Sequence, residues 1–306
     1  MLTGEILLLG GSGTLGRAII KRAFDEKWDC RIAIFSTDPM KHHAIRSEYP
    51  EVQSIIGDIR DFTTLYNAMS GKDYVLHLAA QKHIPDGEYS SIDTFGVNVT
   101  GSLNVAQAAM QLNIPHVLAI STDKSCHPAN AYGASKYAME KIWQEYSRLG
   151  VRTRFHLTRY GNVLESTGSV IEIWNNAIER GEKIKMVDPD MTRFFLSPSQ
   201  AVDLVQLAVK LDSGLILIPK LPSLSIGKLA EYTVGEQEME LIPMRPGEKL
   251  DEELLTLEET AFAVESESFF FLHPTTTERL NNDIQPFNSA GAKELTKEQL
   301  TELLNG

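Results

Sequence analysis

Residues 121–136 read STDKSCHPANAYGASK, and they bring an acid, an amine, a phenol and a second amine into one short stretch: Asp123, Lys124, Tyr132 and Lys136. Such groups are either ordinary surface residues or the proton-handling parts of an enzyme. Tyr132 and Lys136 are four apart, so on a helix they share a face. An ammonium close to a phenol favours the phenolate and lowers a pKa that is otherwise about 10, which makes tyrosine usable as a base near neutrality. A Tyr-x-x-x-Lys spacing is common in isolation. The elements that would hold these groups have to decide between the two readings.

Those elements are legible. Short apolar runs, EILLL, RIAIF, VQSIIG, YVLHL, HVLAIS and RFHLTR, alternate with longer amphipathic stretches. Nearly continuous apolar strands separated by helices predict an α/β fold, a parallel sheet covered on both faces and doubly wound. Ligands of such sheets bind at the carboxyl ends of the strands. The first run leads into GGSGTLG, with Gly10, Gly11, Gly13 and Gly16 shaping a turn into a helix that Thr14 and Leu15 open. A side chain there would block a pyrophosphate, whose charge suits free N–H groups at a helix N-terminus.

After the second run stand Ser36, Thr37 and, one turn on, Lys41, with Asp38 between them. A carboxylate ending this strand suits a free ribose 2′-hydroxyl, whereas hydroxyl and basic groups suit a 2′-phosphate, so the pattern favours NADP, with NAD possible. Ser, Thr and Asp are also preferred helix caps. In GDIRD, Asp58, followed by Ile59, stands where a carboxylate would accept from the adenine amine, and Asp61 reads as a helix cap. Ala79 and Ala80 after the fourth run would let a cofactor pass close to the backbone. The opening stretch follows the fifth run, so its acid and amines fall on the same edge.

The net charge of −12 over 306 residues argues against a nucleic-acid or anionic-membrane partner, which would need a basic field. Cys30 and Cys126 are too few for a disulfide framework, and the histidines, including His42, His43 and His77, form no convincing metal-ligand set. The start has no basic leader and no apolar run approaches the roughly 18 residues of a membrane span, so a soluble cytoplasmic protein is expected. Beyond Gly161 the alternation loosens, with helix-like SVIEIWNNAIERG and SPSQAVDLVQLAVKL and short strands such as LILIP. The expected division is a mainly dinucleotide-binding domain over 1–160 and a mainly substrate-binding lobe over 161–306, with segments of the latter returning to the former. Between Asp251 and Glu267 there are seven acids and no Lys or Arg, most simply a solvated face, and TKEQLTELL reads as a terminal amphipathic helix.

The stretches STDKSCHPANAYGASK, TRYGNVLESTGSV, MTRFFLSPSQAV and MRPGEK, after the glycine-rich turn, resemble the extended short-chain dehydrogenase/reductase superfamily, and within it the soluble UDP-N-acetylglucosamine 4,6-dehydratases that invert C5. The likeness runs from about Glu5 to Leu255, and the last fifty residues match little. It implies a Rossmann-type doubly wound sheet with a smaller C-terminal substrate-binding lobe, a tightly bound NADP and a UDP-sugar substrate. Oxidising C4 to a ketone acidifies the C5 hydrogen; a base then takes that proton while an acid protonates the departing C6 hydroxyl, and hydride returns to C6. By resemblance Tyr132, beside Lys136, handles the 4-hydroxyl, Lys124 takes the C5 proton, Asp123 protonates the leaving group, and Thr122 supports the tyrosine or the sugar. That assignment requires Lys124 to be at least partly neutral. Lys82 matches the segment beside the nicotinamide and suits cofactor or substrate; His83 adjoins it. Asn162 and Glu248 match residues for the diphosphate and the ribose, and Arg159, Arg193, Arg245 and Lys249 are candidates for the phosphates. Thr37 stands where the family carries an arginine. The resemblance also implies a homo-oligomer, a dimer or hexamer, and no nucleic-acid or membrane partner. The alternatives are a UDP-sugar 4-epimerase, a dehydratase of another nucleotide sugar, and a non-catalytic NADP-sensing protein on the same fold.

Overall fold

The structure is a computed structural model that describes residues 1–82, 84–149, 152–166, 168–235, 237–273, 276, 278–280 and 283–305. Six of its strands, β1 (Gly4–Leu9), β2 (Cys30–Ser36), β3 (Gln53–Ile56), β4 (Tyr74–His77), β5 (His116–Thr122) and β6 (Arg154–Tyr160), are the six runs anticipated from sequence. They lie in the order β3-β2-β1-β4-β5-β6, all parallel. The order reverses beside β1, which opens the crevice where such sheets hold a dinucleotide. Both faces are covered: Leu7, Leu8, Leu9, Val75, Leu76, Val117 and Leu118 are fully buried, as near-continuous apolar strands require.

The sheet continues past β6. The strand Ile216–Pro219, within the LILIP run of the loosened half, pairs parallel with β6 at Leu157 and Thr158. Phe269–Leu272 then runs antiparallel to it, and Ala263–Glu265 antiparallel to Phe269–Leu272. The last fifty residues, which the sequence reading left without a task, therefore build the far edge of the nine-stranded sheet. A second, smaller core gathers Leu164, Trp174, Ile184, Met186, Phe195, Leu224 and Leu229. The anticipated helices in the second half are present as Val170–Glu179 and Pro198–Ala208, and the tail forms the helix Lys297–Asn305, which buries Leu300. Among the described residues no helix is long and apolar enough to cross a membrane, and no group of three or more His, Cys, Asp or Glu could hold a metal ion.

Two histidines are sealed in the sheet's packing. His77 ends β4, stacks on Trp143 at 5.6 Å and pairs through Nε2 with Ser102 Oγ at 2.9 Å. His156 in β6 meets His116 through Nε2 at 3.1 Å. Burial pulls both pKa values down from 6.5 to about 3, with Lys136 adding to the effect at His77 and His116 at His156. Below pH 6.5 the unfolded chain therefore binds protons that the folded chain refuses, so stability falls as pH drops from about 6.5 toward 3, by about 1.4 kcal/mol per pH unit for each histidine. Denaturant midpoints at pH 7, 6 and 5 should fall in that order; a midpoint independent of pH over this range contradicts the assignment.

Candidate active site

The cofactor edge starts at the glycine turn. Gly10 has φ +79°, and a Cβ there would stand 2.7 Å from the Ala79 backbone, so β1 and β4 close on each other only around a glycine. A Cβ on Gly16 would come within 2.2 Å of the Gly11 oxygen. Gly13 caps the helix Thr14–Asp25 with extended backbone, no side-chain cap and no acid in the first turn. That leaves N–H groups at a helix start facing a cradle of bare backbone, which fits a pyrophosphate. Leu15 packs partly buried on the main core.

Beyond β2 the expectation needs refining. Ser36 Oγ meets Ser12 Oγ at 2.8 Å and His42 Nε2 at 2.6 Å, and His42 Nδ1 meets Ser54 Oγ at 2.6 Å, so the Ser36 hydroxyl is already engaged in a part-buried chain. Thr37 and Lys41 are exposed. Asp38 accepts from the N–H groups of Met40 and Lys41, capping the next helix, with Lys41 Nζ 3.7 Å away. Asp58 is gripped by Arg60, which also reaches Asp93, while Asp61 caps the helix Phe62–Met69. Ile59 is buried against Gly101. Ala79 abuts Gly10, Ala80 follows it, and Lys82 is exposed further along the same segment. His83 lies outside the described residues. Asn98, which the sequence reading passed over, is buried and ties this segment to the tyrosine helix: it bonds the Gln81 backbone through both side-chain atoms and donates to Ser135 Oγ at 2.9 Å.

The proton-handling groups converge where β5 ends. Thr122 closes β5, Asp123–Ser125 form a short turn, and Ala131–Arg148 is a helix. Asn130 caps that helix by accepting from Gly133 N–H at 2.8 Å and donates to the Gly247 carbonyl at 2.8 Å. A Cβ on Gly133 would fall 2.2 Å from the Lys124 carbonyl oxygen, so the helix seats directly on the turn. Asp123 is fully buried; its Oδ1 accepts from Thr122 Oγ1 at 2.8 Å and from Lys124 Nζ at 3.1 Å, while its Oδ2 has no hydrogen-bond partner among the described residues. Lys124 Nζ also lies 3.2 Å from Glu252 Oε1 and 3.5 Å from Asn162 Oδ1.

Two expectations about charge are corrected here. Burial alone would lower the Lys124 pKa, but Asp123 and Glu252 outweigh it and raise it above 10.5, so the amine rests as an ammonium rather than partly neutral. Burial pushes Tyr132 up to about 12, against Lys124 and a side-chain hydrogen bond with Thr122 that pull it down. Lys136 Nζ donates to Met139 Sδ at 3.0 Å, and burial lowers its pKa to about 8.

The anion candidates divide. Arg159 is 1% exposed and locked between Glu140 and Glu259, with N–O distances of 2.8 Å to each, so it is structural and not a phosphate ligand. Arg193 spends its guanidinium on the carbonyls of Thr192, Lys249 and Leu250, clamping the RPGEK loop. Lys249 donates to the Cys126 carbonyl at 2.6 Å. Arg245 is exposed, and Glu248 Oε2 accepts from its N–H at 3.0 Å. The acidic run of 251–267 is not a uniformly solvated face either: Glu252 is 3% exposed beside Lys124, and Glu259 pairs with Arg159.

A doubly wound sheet with a glycine-cradled crevice, and a tyrosine-lysine helix beside a buried acid and amine, define an extended short-chain dehydrogenase/reductase. The chain belongs to the family described as polysaccharide biosynthesis protein, which matches residues 6–274. It is 34% identical over 277 residues to the UDP-N-acetylglucosamine 4,6-dehydratase (inverting) of Campylobacter jejuni, covering 89% of this chain and 83% of that one. It is equally 34% identical, over 323 residues, to the UDP-glucose 4-epimerase of Rickettsia bellii, covering 98% and 94%. The X-ray structure of Pen from Bacillus thuringiensis superposes with a TM-score of 0.92 at 30% identity, over 99% of this chain and 97% of that one. The chain is thus an enzyme of the sugar dehydratase and epimerase kind, with the fold of a nicotinamide-dependent catalyst.

Proposed function

We propose that the chain is a UDP-N-acetylglucosamine 4,6-dehydratase that inverts C5 and works with bound NADP. The observation that carries the reading is the Asp123–Lys124 contact of 3.1 Å, buried at the end of β5 and joined through Thr122 to Tyr132. An epimerase needs only the tyrosine end of this arrangement, whereas loss of water needs an acid and a base side by side.

The Gly10–Gly16 cradle and the edge from Ser36 to Ala80 would hold the cofactor, whose nicotinamide would supply the acceptance of hydride from C4 and its return to C6. Tyr132 takes the 4-hydroxyl proton as a phenolate; with its pKa pushed up to about 12 by burial, it would have to be ionised first, which the positive ring of the bound cofactor would favour. The raised pKa of Lys124 fits the next step once the pair is treated as one unit. Moving the single ammonium proton across to Asp123 turns a buried ion pair into a neutral amine and a neutral acid, the base and the acid that elimination requires. Lys124 then takes the C5 proton, and Asp123 gives its proton to the departing C6 hydroxyl. Proton return from Lys124 to the opposite face inverts C5. Lys82, Asn162, Arg245 and Glu248 are the proposed sugar-nucleotide contacts, with Asn162 already beside Lys124, and Arg193 serves by clamping the loop that carries Arg245 and Glu248.

NADP is favoured over NAD because no free acid ends β2, Asp38 being spent on a helix cap beside Thr37 and Lys41. A cytoplasmic homo-oligomer, a dimer or hexamer, fits the exposed apolar side chains of Tyr89 and Ile92. The division at residue 160 is proposed as the boundary between cofactor-binding and substrate-binding parts. Mass spectrometry of the reaction with UDP-N-acetylglucosamine should show a product lighter by one water and no net cofactor reduction, and the denatured protein should release NADP. A product of unchanged mass would favour the 4-epimerase reading that the Rickettsia relative suggests.

A further inference from the structure

Among the groups around the site, one has no assigned task. Glu252 comes from the segment after the RPGEK loop, more than a hundred residues from Lys124 in the chain, yet it is 3% exposed with Oε1 3.2 Å from Lys124 Nζ. Its backbone N–H donates to Ser289 Oγ at 2.9 Å, which fixes the approach of the strand Glu253–Leu255 that follows. Its Oε2 has no hydrogen-bond partner among the described residues; Lys249 Nζ stands off at 3.8 Å. A carboxylate buried this deeply is costly unless it serves a cation, and Lys124 is the cation in contact.

We propose that Glu252 is the positioning residue of Lys124: its carboxylate holds the amine between Asp123 and Asn162 and stabilises the proton that the amine gains from the substrate. The catalytic consequence rests on the dehydratase reading. Lys124 begins the elimination neutral and ends it as an ammonium, and a fixed negative charge 3.2 Å away favours that end state. Asp123 also faces the amine, but it becomes a carboxylate only as it delivers its proton, whereas Glu252 has no proton to deliver. Glu252 keeps its charge throughout, so the two carboxylates divide the work: one exchanges protons and the other makes the amine basic. The charged and titratable groups facing Lys124 are Asp123 on its own turn, Glu252, Arg193 from the strand Thr192–Leu196 and Tyr132 on the adjoining helix. Of these, Glu252 is the carboxylate contributed from outside the catalytic stretch.

The test titrates the amine directly in cofactor-loaded protein labelled at lysine Cε, the Lys124 signal being assigned by its loss in Lys124→Arg. Glu252→Gln should lower the Lys124 midpoint by about 1–3 pH units and move the basic limb of the pH profile for water loss down with it. Glu252→Asp, which keeps the charge, should give a smaller shift in the same direction, and it decides the matter if the glutamine variant does not fold. A midpoint that stays in place while turnover falls would overturn the proposal, leaving Glu252 as packing alone. Failure of the wild type to release water would defeat the dehydratase reading, and the titration would still decide whether Glu252 sets the proton affinity of Lys124.

Discussion

Lys124→Arg is expected to fold like the wild type and to lose water elimination by a factor of about 10² to 10⁴, the usual contribution of a positioned acid or base. Arginine keeps the positive charge between Asp123 and Glu252, so the two buried carboxylates stay compensated. What it cannot do is give up its proton, because a guanidinium remains charged throughout the accessible range. The proposed mechanism assigns C4 oxidation to Tyr132 and the cofactor, so addition of substrate should leave reduced nicotinamide on the protein instead of recycling it. Lys124→Ala is the contrasting case: it also stops elimination, but by stranding two carboxylates it should cost stability as well. A Lys124→Arg enzyme that still releases water at near wild-type rate would remove Lys124 from the proton-abstracting role.

Arg159→Met should lower stability by about 3–5 kcal/mol, because it leaves an uncompensated buried charge. Glu140 is 1% exposed and receives Arg159 Nε and NH2 at 3.0 and 2.8 Å, and Glu259 takes NH1 and NH2 at 2.8 Å. Ser121 and Ser125 also donate to Glu140, so the cluster braces the turn that presents Asp123 and Lys124. The loss should appear as a fall in thermal midpoint on the order of 10 °C. It should narrow in acid: burial raises the Glu259 pKa but Arg159 more than offsets it, so the pair's contribution is present above about pH 4.5 and disappears as pH falls through the depressed value. An unchanged midpoint at neutral pH would show that the cluster is dispensable to the fold.

The parallel sheet could be read from sequence because each strand is buried on both faces and shows itself as an unbroken apolar run. The tight turn after β1 could be read because backbone geometry demands glycine at Gly10 and Gly16 whatever the fold does elsewhere. The charge states could not. An acidic run from 251 to 267 reads as solvated unless Lys124 and Arg159 are known to lie opposite it, and nothing local announces a partner so far along the chain. Tyr132 and Lys136 share a face as their spacing dictates, yet spacing does not say that the ammonium turns to a methionine sulfur. The strand in LILIP shows the same limit: its composition gives a strand, and only tertiary pairing assigns it to the main sheet.

The far edge of the sheet and two of the acids beside the site come from the last fifty-odd residues, and that has a consequence for the order of synthesis. Chains emerge from the ribosome amino end first, at about 5–20 residues per second, and domains form as they emerge. The first 160 residues contain the glycine cradle, the tyrosine helix and the Asp123–Lys124 pair, but Arg159 then has one of its two carboxylates and Lys124 one of its own. Both vacancies are filled only by Glu252 and Glu259. On the proposed reading, a ribosome that stalls short of residue 252 leaves a chain that holds the glycine turn and the Asp123–Lys124 pair but lacks the carboxylates that complete the surroundings of Lys124 and Arg159.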